Sequence, residues 1–236
     1  MKGLLSYQFS SYIRSHKYIP PLSIFIIWLI VNYTYIPNPI LDSYSFTSLL
    51  LFFMMGWFTV TVFHVEERGQ KQITLLHARS LGKYYLALFI IATCIGFCLS
   101  VVAVAYPIVF GLFGVEARPV HIMMGLLAHF SLSFLAVTLS ALFTREIVKS
   151  SINTWWGVLS ILILSLVMAT LKNTALLQKG FIWFIPPVHL PLEMMTAGDD
   201  IQSIPSLFYW QFGWIFIYGS LFIGVFLFII QRKRTF

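Results

Sequence analysis

Few side chains in this 236-residue sequence have both the type and the spacing to do chemistry. Glu66 and Glu67 are adjacent acids followed by Lys71, a grouping that hydrolytic chemistry can use where histidines stand beside it. His129 lies well inside one long apolar run and His64 near the end of another, yet neither has an acid at the same depth. Each is therefore expected to hydrogen-bond between helices and not to form a catalytic or metal centre. Cys94 and Cys98 are four apart and share a helix face, which leaves a metal or redox pair geometrically open. Thiols in an apolar helix more often serve as small packing groups, and that is the expectation here. No Gly-x-x-x-x-Gly-Lys-Ser/Thr or Gly-x-Ser-x-Gly segment occurs, so neither ATP hydrolysis nor a serine-hydrolase site is expected of the chain. The apolar runs hold almost no Asp, Glu, Lys or Arg, whereas ion-coupled carriers place such residues at mid-membrane. Any active transport then draws its energy from a separate protein.

The elements that must position these residues follow from composition. At 59% hydrophobic and 10% charged, the chain is far from a soluble domain, which is about 25% charged. Six runs, at about 18–36, 45–65, 84–110, 120–143, 152–171 and 207–230, approach or exceed the roughly 20 apolar residues that cross a bilayer as a helix. Lipid cannot satisfy a free backbone, and the runs are too long and continuous for barrel strands, so helices are required. The expected fold is an all-α integral membrane protein, a single transmembrane domain over 1–236 with six spans. With the amino terminus cytoplasmic, 12 of the 15 Lys and Arg residues fall in inner segments and only Arg118, Lys172 and Lys179 outside, so both termini are placed in the cytoplasm. No cleaved leader is expected, because 1–15 lacks a short apolar core with a small-residue cleavage site. Instead 1–17 is read as an interfacial helix with Leu5, Phe9, Tyr12 and Ile13 in one apolar stripe. The stretch 172–206 carries apolar pieces broken by Pro186, Pro187 and Pro191, which suits a re-entrant outer segment.

The longest charged break is 66–83. Ile73, Leu75, Leu76 and Leu81 alternate there with Gln72, Thr74, His77, Arg79 and Lys83, the pattern of a short helix lying along a membrane face. Composition alone reads it equally as a charged loop that sets topology. Glu66-Glu67-x-Gly69 and the following Ile73-Thr74-Leu75-Leu76-His77-Ala78-Arg79-Ser80-Leu81-Gly82-Lys83-Tyr84 resemble the membrane (permease) subunit of a type 2 ABC exporter. The shared pattern is an acid, a small turn residue, a Leu-Leu-centred helix and a Lys opening the third membrane helix. The sequence departs from it where the family often has a mid-segment Pro and this chain has Ala78-Arg79.

The resemblance implies a coupling helix that docks into a cytosolic ABC ATPase through Glu66, Glu67, Gly69, Ile73, Leu75, Leu76, His77, Arg79 and Lys83. It further implies two ATPase subunits per complex, a second copy of the permease or a related one, and a surrounding lipid membrane, with no nucleic acid. ATP and Mg belong to the partner, and no cofactor is expected in this chain. The expected function is export of an amphipathic substrate (an antimicrobial peptide, a lipid-linked molecule or a drug) across the cytoplasmic membrane. His129, Phe181, Trp183 and Phe184 are its candidate substrate path, and Arg145 to Ser151 offers a second inner contact. Two other readings stand beside it. Glu66-Glu67 with Lys71 is similar to the Glu-Glu-x-x-x-Arg motif of prenyl-type intramembrane proteases, with Lys in place of Arg and a charged stretch in place of the bilayer. The third is a membrane sensor with no transport role.

Overall fold

The computed structural model describes residues 1–148, 150–170 and 185–233, apart from the Arg68 side chain. Among these residues the chain is all-helical: α1 Lys2–Arg14, α2 Ile19–Asn32, α3 Ile40–Phe63, α4 Arg68–Ala78, α5 Leu81–Val109, α6 Pro119–Ala141, α7 Ser151–Thr170, α8 His189–Met195 and α9 Ser206–Lys233. Five of them, α3, α5, α6, α7 and α9, are long and apolar enough to cross a membrane. The chain has the character of a multi-pass membrane protein.

The first apolar run differs from expectation. Its helix, α2, has 14 residues, about 21 Å of rise against a hydrocarbon core of about 30 Å. It stops at Asn32 where the expectation ran to 36, ahead of Pro37 and Pro39, which cannot continue a helix. Helix α3 starts at Ile40, five residues earlier than the expected 45. The cause is a distant acid: Asp199 accepts from the backbone N–H of Ile40 (2.8 Å) and of Leu41 (2.9 Å), satisfying amides that a helix leaves without internal partners. At the start of α5, Ser80 caps more locally, its Oγ accepting from Lys83 N–H at 3.3 Å.

Contacts between chain segments define two ends of the bundle. At one end Lys17 Nζ donates to the His64 carbonyl (2.8 Å), the Arg145 N–H donates to His64 Nε2 (2.9 Å), and Lys233 Nζ donates to the Ile147 carbonyl (3.0 Å). At the other end Asn38 N–H donates to the Leu112 carbonyl (3.3 Å), Gly114 N–H to the Asn38 carbonyl (2.9 Å), and His121 Nε2 to the Asp199 carbonyl (3.0 Å). His121 Nδ1 accepts from Arg118 N–H at 3.2 Å, which puts its proton on Nε2. Residues 17 and 38 thus lie at opposite ends, although the helix between them is short.

The centre is α3, α5 and α6, with α7 and α9 outside them. Tyr44 ties the three together: its hydroxyl donates to the Val104 carbonyl of α5 at 3.1 Å, and its ring meets His129 of α6 edge-on at 5.8 Å. Gly125 allows that approach, since a Cβ there would stand 2.8 Å from Tyr44 Cδ2. Gly56 does the same for α7, where a Cβ would come within 2.5 Å of Leu162 Cδ1. Close approach through small residues is how helices associate when lipid is as apolar as their side chains. Cys94 and Cys98 are free and exposed on α5.

The expected stripe on α1 divides. Tyr12 is buried, its hydroxyl 2.9 Å from Thr61 Oγ1 on α3, and Leu5 is half-buried against the core, while Phe9 and Ile13 are exposed; Gln8, outside the stripe, is the other buried position of the helix. Residues 171–184 lie outside the described part, and after them α8, only seven residues, buries Pro191, Met194 and Met195 against α3, α6 and α9.

Candidate functional site

Helix α4 sits at the Lys17–His64 end, between the close of α3 and the start of α5. Its sequence folds as a two-faced helix. Lys71, Thr74, Leu75 and Ala78, spaced i, i+3, i+4 and i+7, are buried or half-buried, and Leu75 packs on the core. Gly69, Gln72, Ile73 and Leu76 have the same spacing half a turn away and are exposed, Leu76 at 74% and Ile73 at 60%. Two large aliphatic groups thus stand on the outward face of a polar helix.

The inward face is held by polar bonds. Glu66 is 5% exposed, and its carboxylate accepts from the Tyr84 hydroxyl (3.0 Å) and from Thr74 Oγ1 (3.3 Å). Burial pushes the Glu66 carboxyl above its ordinary range, while the Tyr84 and Thr74 bonds and nearby Lys71 pull it back. Lys71 forms an ion pair with Glu146 and also lies 5.2 Å over the Tyr85 ring and 5.9 Å over Tyr84. An exposed pair alone is worth about 0–1 kcal/mol, so the partly buried geometry and the added cation–π contacts are what give this link weight. Gln70 Nε2 donates to the Tyr7 hydroxyl at 2.9 Å and so joins α4 to α1.

Around this anchor the 145–147 turn closes on its neighbours. His64 Nε2 accepts the Arg145 amide, so the imidazole must be neutral there. Burial, then repulsion from Arg145, lowers its pKa from 6.5 to about 4, with Glu146 opposing. Lys17 is lowered as well, by burial first and Arg145 second. Lys233 at the end of α9 donates to the carbonyls of Ile147 and, at 3.4 Å, Glu146. Movement of α4 is thereby linked to α3, α5, α9 and the 145–147 turn.

The expected site residues separate into groups. Ile73 and Leu76 share the exposed face with Gly69, and His77, Arg79 and Lys83 are exposed beside it. Arg79 is the C-cap of α4, in the left-handed region at φ 53°, where the helix turns into α5. Glu67 is exposed at the amino-terminal end of α4. Glu66 and Leu75 face inward and hold the helix. His129 is fully buried between α3 and α6, with Nδ1 donating to the Gly125 carbonyl (2.7 Å) and Nε2 2.9 Å from Thr47 Oγ1, an interhelical bond and not an open lining. Phe181, Trp183 and Phe184 lie outside the described residues. The sequence reading assigned no part to Tyr85 and took Glu146 only as one position of the Arg145 to Ser151 contact. Lys71 and Thr74 carried a signal for their inward placement, because they fall on the stripe of Leu75 and Ala78.

Among the described residues no three His, Cys, Asp or Glu side chains converge as a metal-binding set. Set against known proteins, the chain matches no family model, no curated protein and no solved structure.

Proposed function

We propose that this chain is the permease subunit of an ATP-driven exporter, with α4 as the helix on which a cytosolic ATPase docks. The observation that carries the reading is the two-faced α4: fixed inward through Glu66, Thr74 and Lys71, it presents Ile73 and Leu76 outward at the basic end of the bundle. A rigidly anchored helix transmits displacement. ATP bound by a partner, through contacts that differ between two packings of the bundle, would bias one over the other.

Several features support the topology that goes with it. Lys17, Lys71, Arg145 and Lys233 meet at one end, which suits a cytoplasmic face by the positive-inside rule. The contacts of Lys17 and Asn38 at opposite ends support a sixth crossing over 17–38, part helix and part extended chain. Helices α7 and α9 bury only 28% of their most apolar windows against 67% for α6, leaving apolar faces for lipid or a second permease copy. The substrate class remains an amphipathic peptide, lipid-linked molecule or drug, with α8 as part of a re-entrant outer segment and the cytoplasmic membrane as location. The engagement of Glu66 by Tyr84 and Thr74, which commits its carboxylate to holding α4, weighs against the protease reading.

The test is affinity purification of the full chain from its host membrane, with partners identified by Walker-motif content. The unaltered chain should bring down a cytosolic ATPase, and Ile73→Asp with Leu76→Asp should reduce its recovery about tenfold, since two apolar anchors are replaced by charge. Recovery unaffected by this pair removes the docking assignment.

A further inference from the structure

Between the first turns of α1 and the carboxy-terminal half of α4 lies a groove of about 530 Å³. Its walls are Leu4 and Tyr7 on one side and Ile73, His77 and Ala78 on the other, with Lys83 at its margin. The volume falls within the ~300–1,000 Å³ of small-molecule sites. The groove is open at Gly3, where an added Cβ would meet nothing within 4 Å.

Charge around the groove has one sign. Lys83 and the His77 imidazole line it, and the exposed cations Lys2, between the lining residues Met1 and Gly3, and Arg79, next to the lining Ala78, adjoin it in the chain. The acids of this end are committed elsewhere: Glu66 to Tyr84 and Thr74, and Glu146 to Lys71. Glu67 stands at the far end of α4, about 15 Å along its axis. An apolar trough with a cationic margin matches an amphiphile whose polar part is an anion. The surroundings indicate its source, for α1 also exposes Phe9 and Ile13 on its faces away from the groove, a helix surface that suits the acyl region of a membrane interface.

We infer that the α1–α4 groove binds one anionic phospholipid, an acyl chain against Leu4 and Ile73 and the phosphate held by Lys83 and Lys2. Basic clusters at the cytoplasmic ends of membrane helices recognise such headgroups by charge. Lipid capture here needs only that this end of the bundle meets a membrane surface; it shares Ile73 with the proposed docking face, and retained lipid, not ATPase recovery, is what tests it. A bound lipid would wedge α1 against α4 and stiffen the helix at its carboxy-terminal half.

The experiment uses the full chain reconstituted in vesicles of equal parts phosphatidylglycerol and phosphatidylcholine, with retained lipid counted by native mass spectrometry after mild extraction. The unaltered chain should retain phosphatidylglycerol about tenfold over phosphatidylcholine, and Lys2→Gln with Lys83→Gln should bring the ratio to about one. Gly3→Trp, which places an indole in the open groove without a backbone clash, should produce a comparable loss at an unchanged thermal midpoint. Equal retention of the two lipids by the unaltered chain overturns the assignment, as does a preference that survives both variants. Displacement of the lipid by inorganic phosphate alone also overturns it, by assigning the cations to a free anion.

Discussion

Replacing Tyr84 with Phe removes one hydroxyl and leaves the other contacts of the ring in place. The ring keeps its edge-on contact with Tyr85 at 5.0 Å and its position under Lys71 at 5.9 Å. What is lost is the 3.0 Å bond to the buried Glu66 carboxylate, whose remaining side-chain donor is Thr74 at the longer 3.3 Å. A bond to a charged acceptor contributes about 1.5–3 kcal/mol net, and a buried charge left with one weak donor holds that cost in full. Taking about 2 kcal/mol, the equilibrium for α4 lifting from α5 shifts roughly 30-fold. Hydrogen exchange of the α4 amides from Gln72 to Ala78 reads this directly, since their helical bonds break when the helix lifts. Tyr84→Phe should accelerate them about 30-fold while α6 amides are unaffected. Combined with Glu66→Ala, the effects should fall short of additive by about 1–2 kcal/mol, because both changes delete the same bond. Exchange in α4 within twofold of the unaltered chain, or strictly additive effects, would refute the anchoring role of Glu66.

Three further outcomes are expected. Asp199→Ala should cost about 1–2 kcal/mol in thermal or denaturant unfolding, for it removes both side-chain acceptors at the start of α3; an unchanged midpoint counts against the cap. Gly125→Ala should cost about 1–3 kcal/mol, because the Tyr44 ring 2.8 Å away is fixed by its bond to Val104 and cannot yield, and the same unfolding measurement checks it. Acid should open the contact between α3 and the 145–147 turn. The folded pKa of His64, about 4, lies below its ordinary 6.5, so its stabilising contribution is whole above about pH 6.5 and is lost as pH falls through about 4. Exchange of the Arg145 amide, corrected for intrinsic rate, should rise across that window, and His64→Gln should flatten the profile; a rise that persists in the variant would assign it to another group.

The long apolar runs were legible because membrane helices satisfy their own backbone and so need little beyond length and composition; α5, α6, α7 and α9 begin within three residues of the expected starts. Less legible was anything decided by a distant partner. Nothing local to Ile40 announces an early helix start, because the acceptor is Asp199, 159 positions away. Pro37 and Pro39 did signal that the helix must stop, and the expected run ended at 36 just ahead of them, but hydropathy did not mark the earlier end at Asn32. At α4 the amphipathic pattern was visible, while the direction of each face was not: Leu75 and Leu76 are equivalent in sequence and differ by one step of about 100° around the helix, with only the neighbouring core deciding which is covered. Glu66 and Glu67 present the same ambiguity, resolved by Tyr84 eighteen residues on.

The contacts of Asp199 also set an order of manufacture. A chain made from its amino terminus delivers α3 and α6 long before residue 199 exists. Until then the first amides of α3 lack their side-chain acceptor, and His121 at the head of α6 lacks the carbonyl to which it donates. One late-arriving residue therefore latches both central helices at the same end. A nascent chain halted before it would hold its helices with that end unfastened, so completion of the bundle waits on the segment that leads into the last helix.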